Sequence, residues 1–350
     1  MALKFIGGGK MLIGVDAGCL GIKDKRLQLG VYQMAFNLFR QLARIDNKNR
    51  YHLYSFLPIK KEILCQFGSK MKNVVVKPSF GWNHLALPMR IVLEKPDVFL
   101  GLSQSLPFFC PCPKVVVVHD LAFEYLPKLK KITSFAVQKA DKIIAVSKST
   151  KNDLEEIYKM QPEKIKVAYE GYDKNIFKYV RCKKENYFLY VGAFKKIKNI
   201  PGLIQGFKYF LKKSGLNFQL FLVGSDFRKL KLEKRIKIKG FVSREKLPEL
   251  YQKAFAFVSP SFYEGFGLPL LEAAACGCPV IAGKNGAAKE IIGKTGILVE
   301  PKDSKAIGEA MLQVVKDKIL RQKMIREDLK QAKLFSWEKF ARNVLKVINQ

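Results

Sequence analysis

Four consecutive valines in KVVVVHD (114–120) constrain the fold more than any other stretch of this chain. A strand with β-branched side chains on both faces has no wet side, so it belongs in a parallel sheet covered by helices front and back. The same strand-then-helix unit recurs around it. MLIGVDAG (11–18) reads as a strand, and Gly30 opens GVYQMAFNLFRQLARI, whose apolar residues recur at helical spacing. YHLYSFL, NVVVKPS and DVFLGL add strands, and KIKVAYEGYD (164–173) supplies another. DKIIAVS (141–147) ends at a serine suited to cap the helix KSTKNDLEEIY.

The segment KNIFKYVRCKKEN (174–186) is polar, basic and non-periodic, and reads as a linker. The alternation then restarts with YFLYVG, FQLFLVG, RIKIKGFV, AFAFVSPS, CPVIAG and GILVEP as strands. In RIKIKG the charges at 235, 237 and 239 alternate with isoleucines, which marks an edge strand or one wet face. Asp303 can cap a helical run extending past 330, and SWEKFARNVLKVINQ makes a last amphipathic helix. Alternation in both halves predicts an α/β chain of two doubly wound, Rossmann-like parallel-sheet domains. The expected boundaries are 1–173, a linker at 174–186, a second domain at 187–335, and a helix at 336–350 that packs back toward the first.

A chain of 350 residues suffices for two cores, and its 48% apolar content argues against disorder. No apolar run reaches the length of a membrane span. The N-terminal apolar stretch is too short and glycine-broken for a signal peptide, and a start at Met11 would suit the fold better. Seven cysteines, among them CPC and CGC, fit neither a zinc site nor a disulfide framework and suggest reduced thiols in the cytoplasm. The net charge of +33 is spread along the whole chain. It is compatible with nucleic acid, an anionic membrane surface or phosphate-bearing substrates, and equally with a lysine-rich genome.

In open parallel sheets, ligands bind beyond the carboxyl ends of the strands. His119, Asp120, Ser147, Glu170, Gly192 and the YEGFG segment all fall there, so two such sheets facing each other would enclose a cleft. SFYEGFGLPLLEAAACGCPV (261–280) is the densest of these stretches. Pro269 suits the first turn of a helix and Gly277 its end. The N-terminus of that helix aims N–H groups at the preceding loop, where a diphosphate would be welcome. Gly265 and Gly267 let backbone approach a ligand closely. Glu264 and Glu272 can each accept several hydroxyl hydrogen bonds, as sugar rings require. Phosphate, ribose and hexose together describe a sugar nucleotide. The plain alternatives are a solvated Glu264 and a Glu272 that offsets the helix dipole.

At these residues the chain resembles the GT-B glycosyltransferases, specifically the large retaining family 4 and its bacterial mannosyltransferases. YEGFGLPLLEA looks like the family's E-x7-E motif, YVGAFKKIKN like its phosphate-binding segment, and Glu290 stands in the acidic position before a later strand. VVVVHDLAF, IIAVSKSTKNDL and GVDAG…LGVYQMAFNL resemble the N-domain pattern. The resemblance implies that Glu264 contacts the donor hexose and Glu272 the ribose. It implies that N–H groups of Phe266, Gly267 and Leu268 bind sugar and phosphate, and that Lys198 binds the diphosphate. His119 would contact the hexose near the reacting centre, and Gly30 would bring N-domain backbone close to the phosphates. Asp120 either braces its loop or serves the site.

The family needs no metal, and the chain has no D-x-D triad. Two departures are Ile197, where a second basic residue is common, and a short span between HDLAFEYLP and ADKIIAVS. The expected reaction is metal-independent retaining transfer of a hexosyl group, mannosyl from GDP-mannose or glucosyl from UDP-glucose, with no cofactor. The acceptor would be a glycan or lipid-linked glycan. YLPKLKKITSFAVQK (125–139) mixes lysines with apolar residues, as a segment on anionic lipid would, so peripheral attachment at the cytoplasmic face is one expectation. A nicotinamide dehydrogenase would need G-x-G-x-x-G between strand and helix, but Gly7 to Gly9 precede their strand. A basic nucleic-acid-binding protein is the non-enzymatic alternative, and it has no use for the glutamate pair. No nucleic acid is expected as partner.

Overall fold

The strand-helix alternation folds into two parallel sheets, one in each of two compact units. In the computed structural model, the described residues are 9–24, 28, 30–121, 127–227, 234–294 and 296–350. The first unit comprises Met1–Glu170 and Trp337–Gln350, and the second Gly171–Ser336.

The first unit begins with β1 (Leu12–Asp16), α1 (Gly30–Ile45), β2 (Arg50–Ser55), α2 (Lys61–Leu64) and β3 (Met71–Val75). It continues with α3 (Leu87–Glu94), β4 (Val98–Gly101), β5 (Lys114–Val118) and α4 (Pro127–Lys139). Last come β6 (Lys142–Ala145), α5 (Lys148–Tyr158) and β7 (Ile165–Val167). The strands pair in parallel in the order β3-β2-β1-β4-β5-β6-β7. β5 sits inside the sheet, and Val115 to Val118 have no exposure at all, which is why the valine run shows no alternation. Ser147 accepts a hydrogen bond from the Thr150 N–H at 3.0 Å and so starts α5.

The second unit runs β8 (Tyr187–Val191), α6 (Ile200–Ser214), β9 (Gln219–Val223), β10 (Ile236–Gly240), α7 (Leu247–Lys253) and β11 (Ala256–Ser259). α8 (Leu268–Ala275), β12 (Val280–Gly283), α9 (Ala288–Ile292), β13 (Ile297–Val299), α10 (Ser304–Lys316) and α11 (Lys318–Ala332) complete it. The parallel order is β10-β9-β8-β11-β12-β13, so the strand of alternating lysines is indeed an edge strand. The core is rich in phenylalanine: Phe188, Phe207, Phe210 and Phe218 pack edge-to-face and stacked around β8 and α6. The helical run after Asp303 is interrupted. Asp303 caps α10, but Asp317 leaves the helical region and caps α11 in turn, accepting from the Leu320 N–H at 2.8 Å.

The final helix, α12 (Trp337–Ile348), returns to the first unit and packs on α1, burying Trp337, Phe340, Val344 and Ile348. The stretch 174–186 lies within the second unit, not between the two. Phe177 is buried with its ring 6.2 Å from that of Tyr251. Lys184 donates to the Gln252 and Gly277 carbonyls at 2.8 and 3.1 Å. These are carbonyls at or just past the C-terminal ends of α7 and α8, where a cation meets the negative pole of a helix. The lysines that suggested a linker are thus partly anchors.

Candidate active site

The loop from Ser261 to Gly267 joins the carboxyl end of β11 to the N-terminus of α8, and backbone groups of Ile197 and Ala287 together with the Asn199 side chain hold it. Phe262 N–H donates to the Ile197 carbonyl at 2.8 Å, tying the loop to the helical turn Lys196–Lys198. The next residue, Asn199, adopts a left-handed conformation and caps α6 through Gly202 N–H. Its amide also donates to the carbonyls of Pro260 and Pro301, at 3.1 and 2.6 Å. Gly286 packs on the loop from a third side: a Cβ there would sit 2.3 Å from the Glu264 carbonyl oxygen. No side chain fits, and the adjoining Ala287 N–H closes a 2.8 Å bond to that same carbonyl.

This scaffold sets Lys198 against Glu264. The ammonium donates to both carboxylate oxygens, at 2.7 and 2.8 Å, and Ser261 Oγ donates to Oε1 at 2.7 Å. Both partners are partly buried, so the pair is screened less than a surface pair would be. Beside it, Gly267 takes φ +95° as the residue before α8, and Pro269 occupies the first turn. The opening N–H groups of a helix have no partner within it, so an anion reaching this end would find donors and the positive pole of the dipole. Gly265 and Phe266 are buried beneath, with Phe266 edge-on to Phe335 at 5.9 Å. Gly192 follows β8 and is pinned by its N–H to the Val223 carbonyl at 2.9 Å.

Glu272 is placed differently. It lies in α8 with a side chain only 4% exposed, and its Oε1 takes a 2.9 Å ion pair from Arg244. Tyr251 donates more weakly to Oε2 at 3.4 Å. Burial raises the Glu272 pKa, and Arg244 offsets part of that rise. The guanidinium of Arg244 in turn lies 4.9 Å from the centre of the Phe177 ring. The structure therefore brings Lys198 and Glu264 together and gives Glu272 a separate cationic partner that sequence reasoning missed. The only cue was an arginine in the turn after an edge strand, indistinguishable there from a solvated one. Glu290 lies in the first turn of α9, and its carbonyl accepts from Gln331 at 2.8 Å.

In the first unit, His119 and Asp120 follow β5. Gln104, itself at φ +55°, accepts both their backbone N–H groups, at 2.7 and 2.8 Å. His119 Nε2 lies 2.8 Å from the Leu102 carbonyl and Nδ1 3.5 Å from Glu170. Burial alone would lower its pKa, but Glu170, the Leu102 carbonyl and Asp120 together outweigh burial and the net shift is upward. Both ring nitrogens thus face acceptors, which suits the imidazolium form. Gly30 is exposed at the start of α1, with open space where a side chain would stand. Among the described residues no group of three or more His, Cys, Asp or Glu is placed to hold a metal ion.

Arg244 yields a direct prediction. Replacing it with methionine removes the charge that draws the Glu272 pKa down, so that pKa climbs further and the carboxylate protonates more readily. If Glu272 holds a hydroxylated ligand, affinity should weaken by roughly 10-fold or more. The loss should be larger at pH 6 than at pH 8, and Arg244→Lys should restore part of it. Calorimetric titration at the two pH values checks this; equal losses would remove Glu272 ionisation from the account.

Comparison with known proteins points the same way. The model of Glycosyl transferases group 1 matches residues 172–331, and that of Glycosyltransferase Family 4 matches residues 68–175. An O-antigen chain mannosyltransferase B of Escherichia coli is 38% identical over 164 residues, covering 44% of this chain and 43% of the relative. An uncharacterized glycosyltransferase of Methanocaldococcus jannaschii is 32% identical over 249 residues, 68% of each chain. The Anabaena protein HepE, solved in complex with UDP and glucose, superposes with a TM-score of 0.74 at 19% identity, covering 96% of this chain and 98% of that one. The chain accordingly belongs to the glycosyl transferases group 1, the GT-B glycosyltransferases of family 4.

Proposed function

We propose that this protein transfers a hexosyl group from a nucleotide-diphosphate sugar to an acceptor hydroxyl, with retention at the anomeric carbon. The observation that carries this reading is the Lys198–Glu264 pair at the mouth of α8, with Ser261 fixing the carboxylate. An ammonium and helix N–H groups suit a diphosphate, and an oriented carboxylate suits sugar hydroxyls. In the step itself the bond from the anomeric carbon to the diphosphate oxygen breaks and its electron pair leaves with the diphosphate. Lys198 and the α8 N–H groups neutralise that charge, while Glu264 holds the sugar. The acceptor hydroxyl forms the new bond, and its proton goes to the departing diphosphate.

Glu272 is assigned the ribose, with Arg244 offsetting part of the pKa rise that burial causes. The parts of His119 and Gly30 rest on the family resemblance, and those of Asp120 and Gly192 on their place just past strand ends. No metal takes part in this scheme. The mannosyl donor GDP-mannose is favoured by the mannosyltransferase relative, and the UDP-bound HepE structure supports UDP-glucose as second choice. The acceptor is proposed to be a cell-surface glycan or its lipid-linked precursor, again because the relative is an O-antigen enzyme.

Thermal melting in a panel of nucleotide sugars tests the donor. A ligand that binds only the folded state raises Tm, by roughly 3 kcal/mol of stability at a hundredfold excess over Kd. One nucleotide sugar should stand above the others, with the shift lost in Glu272→Ala. A flat panel would remove nucleotide sugars as substrates.

A further inference from the structure

The chain carries two C-x-C pairs that the proposed transfer does not use, and the fold treats them oppositely. Cys276 and Cys278 flank Gly277 at the end of α8, and both are buried. Burial pushes both thiols up, Cys278 to about 12, so neither is a nucleophile at neutral pH. Cys110 and Cys112 lie instead in the connection from β4 to β5. Cys110 is half-buried there, and Cys112 behind it is 8% exposed. Pro111 and Pro113 alternate with them, so the backbone φ is fixed at two positions of this short stretch.

The two sulfurs stand 3.4 Å apart, in contact but unbonded. A disulfide bond is about 2 Å long, so closure asks only a small approach of one sulfur to the other. Lys114 Nζ lies 3.4 Å from the Cys112 carbonyl and pairs with Asp141 at 3.1 Å. The hydrogen bond between the sulfurs draws the Cys110 pKa down against burial; Lys114 adds to that pull and Asp141 opposes it. The same bond, helped by burial, keeps the proton on Cys112. The outer thiol is thus the more acidic and the more accessible, with a protonated thiol behind it. An attacking cysteine beside a resolving one has this asymmetry.

We propose that Cys110 and Cys112 form a redox-active dithiol, which small-molecule disulfides oxidise to an intramolecular disulfide and small-molecule thiols restore. The Cys110 thiolate attacks one sulfur of the disulfide, forming a mixed disulfide and expelling a thiolate, which takes up a proton. Cys112 then gives up its proton and attacks the Cys110 sulfur, closing the Cys110–Cys112 bond and expelling the second thiolate. Two cysteine sulfurs are oxidised, and one disulfide is reduced to two thiols. The pair lies apart from the donor site, and either reading can fail without the other.

Equilibration of the reduced full-length protein with mixtures of glutathione and glutathione disulfide tests it, followed by acid quenching, alkylation and peptide mass mapping. Wild type should lose the mass of two hydrogens, mapped to Cys110 and Cys112, and regain it in excess glutathione. Cys112→Ser should accumulate a glutathione adduct on Cys110, because the resolving thiol is gone. Cys110→Ser should slow modification of the pair by about 10-fold or more, since the remaining thiol is buried and protonated. The double variant Cys276→Ala, Cys278→Ala should leave the loss of two hydrogens unchanged. Wild type that forms no Cys110–Cys112 disulfide at any ratio overturns the proposal, as does one that keeps a stable glutathione adduct on Cys110. That measurement needs no substitution, so a variant that misfolds does not blunt the test.

Discussion

Lys198→Ala is expected to reduce turnover of the nucleotide sugar by roughly 10²-fold to 10³-fold, with the larger part in kcat. The ammonium makes two charge-assisted bonds to Glu264, and no neighbouring lysine shares that geometry. Ile197, next in sequence, is buried, and the loop leans on it through the Phe262 N–H, so a substitute charge does not come from there. Removing Lys198 leaves a partly buried carboxylate with Ser261 as its remaining side-chain donor. Glu264→Ala should give a loss of similar order, and the double variant should lose less than the product of the two, since one pair serves one ligand. Steady-state rates over a donor range measure all three. Unchanged turnover in both single variants would place the chemistry elsewhere.

Asp328→Asn is expected to stabilise the protein markedly. Asp328 lies in α11 with no exposure and neither carboxyl oxygen in a hydrogen bond. Burial raises its pKa from 3.8 to about 8, and the nearby Val280 backbone draws it down only in part. The unfolded chain releases this proton near pH 3.8, whereas the folded chain keeps it until about pH 8. The folded state thus binds more protons throughout that window, and stability falls as pH rises across it. The whole interval amounts to something on the order of 5 kcal/mol. An asparagine carries no charge to bury, so Tm at pH 7.5 should rise by at least about 5 °C and lose much of its decline between pH 5 and 8. Melting curves at several pH values check both features, and a variant that melts earlier at every pH would contradict the argument.

Features governed by local order were legible in the sequence. The valine run of β5, the alternating edge strand β10 and the bracket of Pro269 and Gly277 around α8 each follow from a single stretch of backbone. The helix Leu87–Glu94 was not legible, and the reason is physical. It is short, Leu87–Glu94, and turns Met89, Val92 and Leu93 outward as well as Leu87 and Ile91 inward, which blurs the contrast between faces by which a surface helix is recognised. The interruption at Asp317 was hidden because the residue that ends one helix also caps the next.

Within the site, the glutamates and Lys198 stood out by motif, but their partners did not. Lys198 meets Glu264 across 66 positions, and Asn199 reaches Pro301 across 102. Arg244, Gln104 and Glu170 likewise gain their meaning only once strands from distant parts of the chain lie side by side. A lysine-rich sequence conceals such residues further, since every basic position looks like solvated surface until its acceptor is known.

The central claim is that Lys198 exchanges its carboxylate partner for a diphosphate at the N-terminus of α8. A crystal structure of the protein with GDP or UDP tests this most directly. The account predicts phosphate oxygens within hydrogen-bond distance of Lys198 Nζ and of the Gly267 and Leu268 N–H groups, with ribose hydroxyls on Glu272. A nucleotide bound away from these residues, with the Lys198–Glu264 pair unaltered, would contradict it.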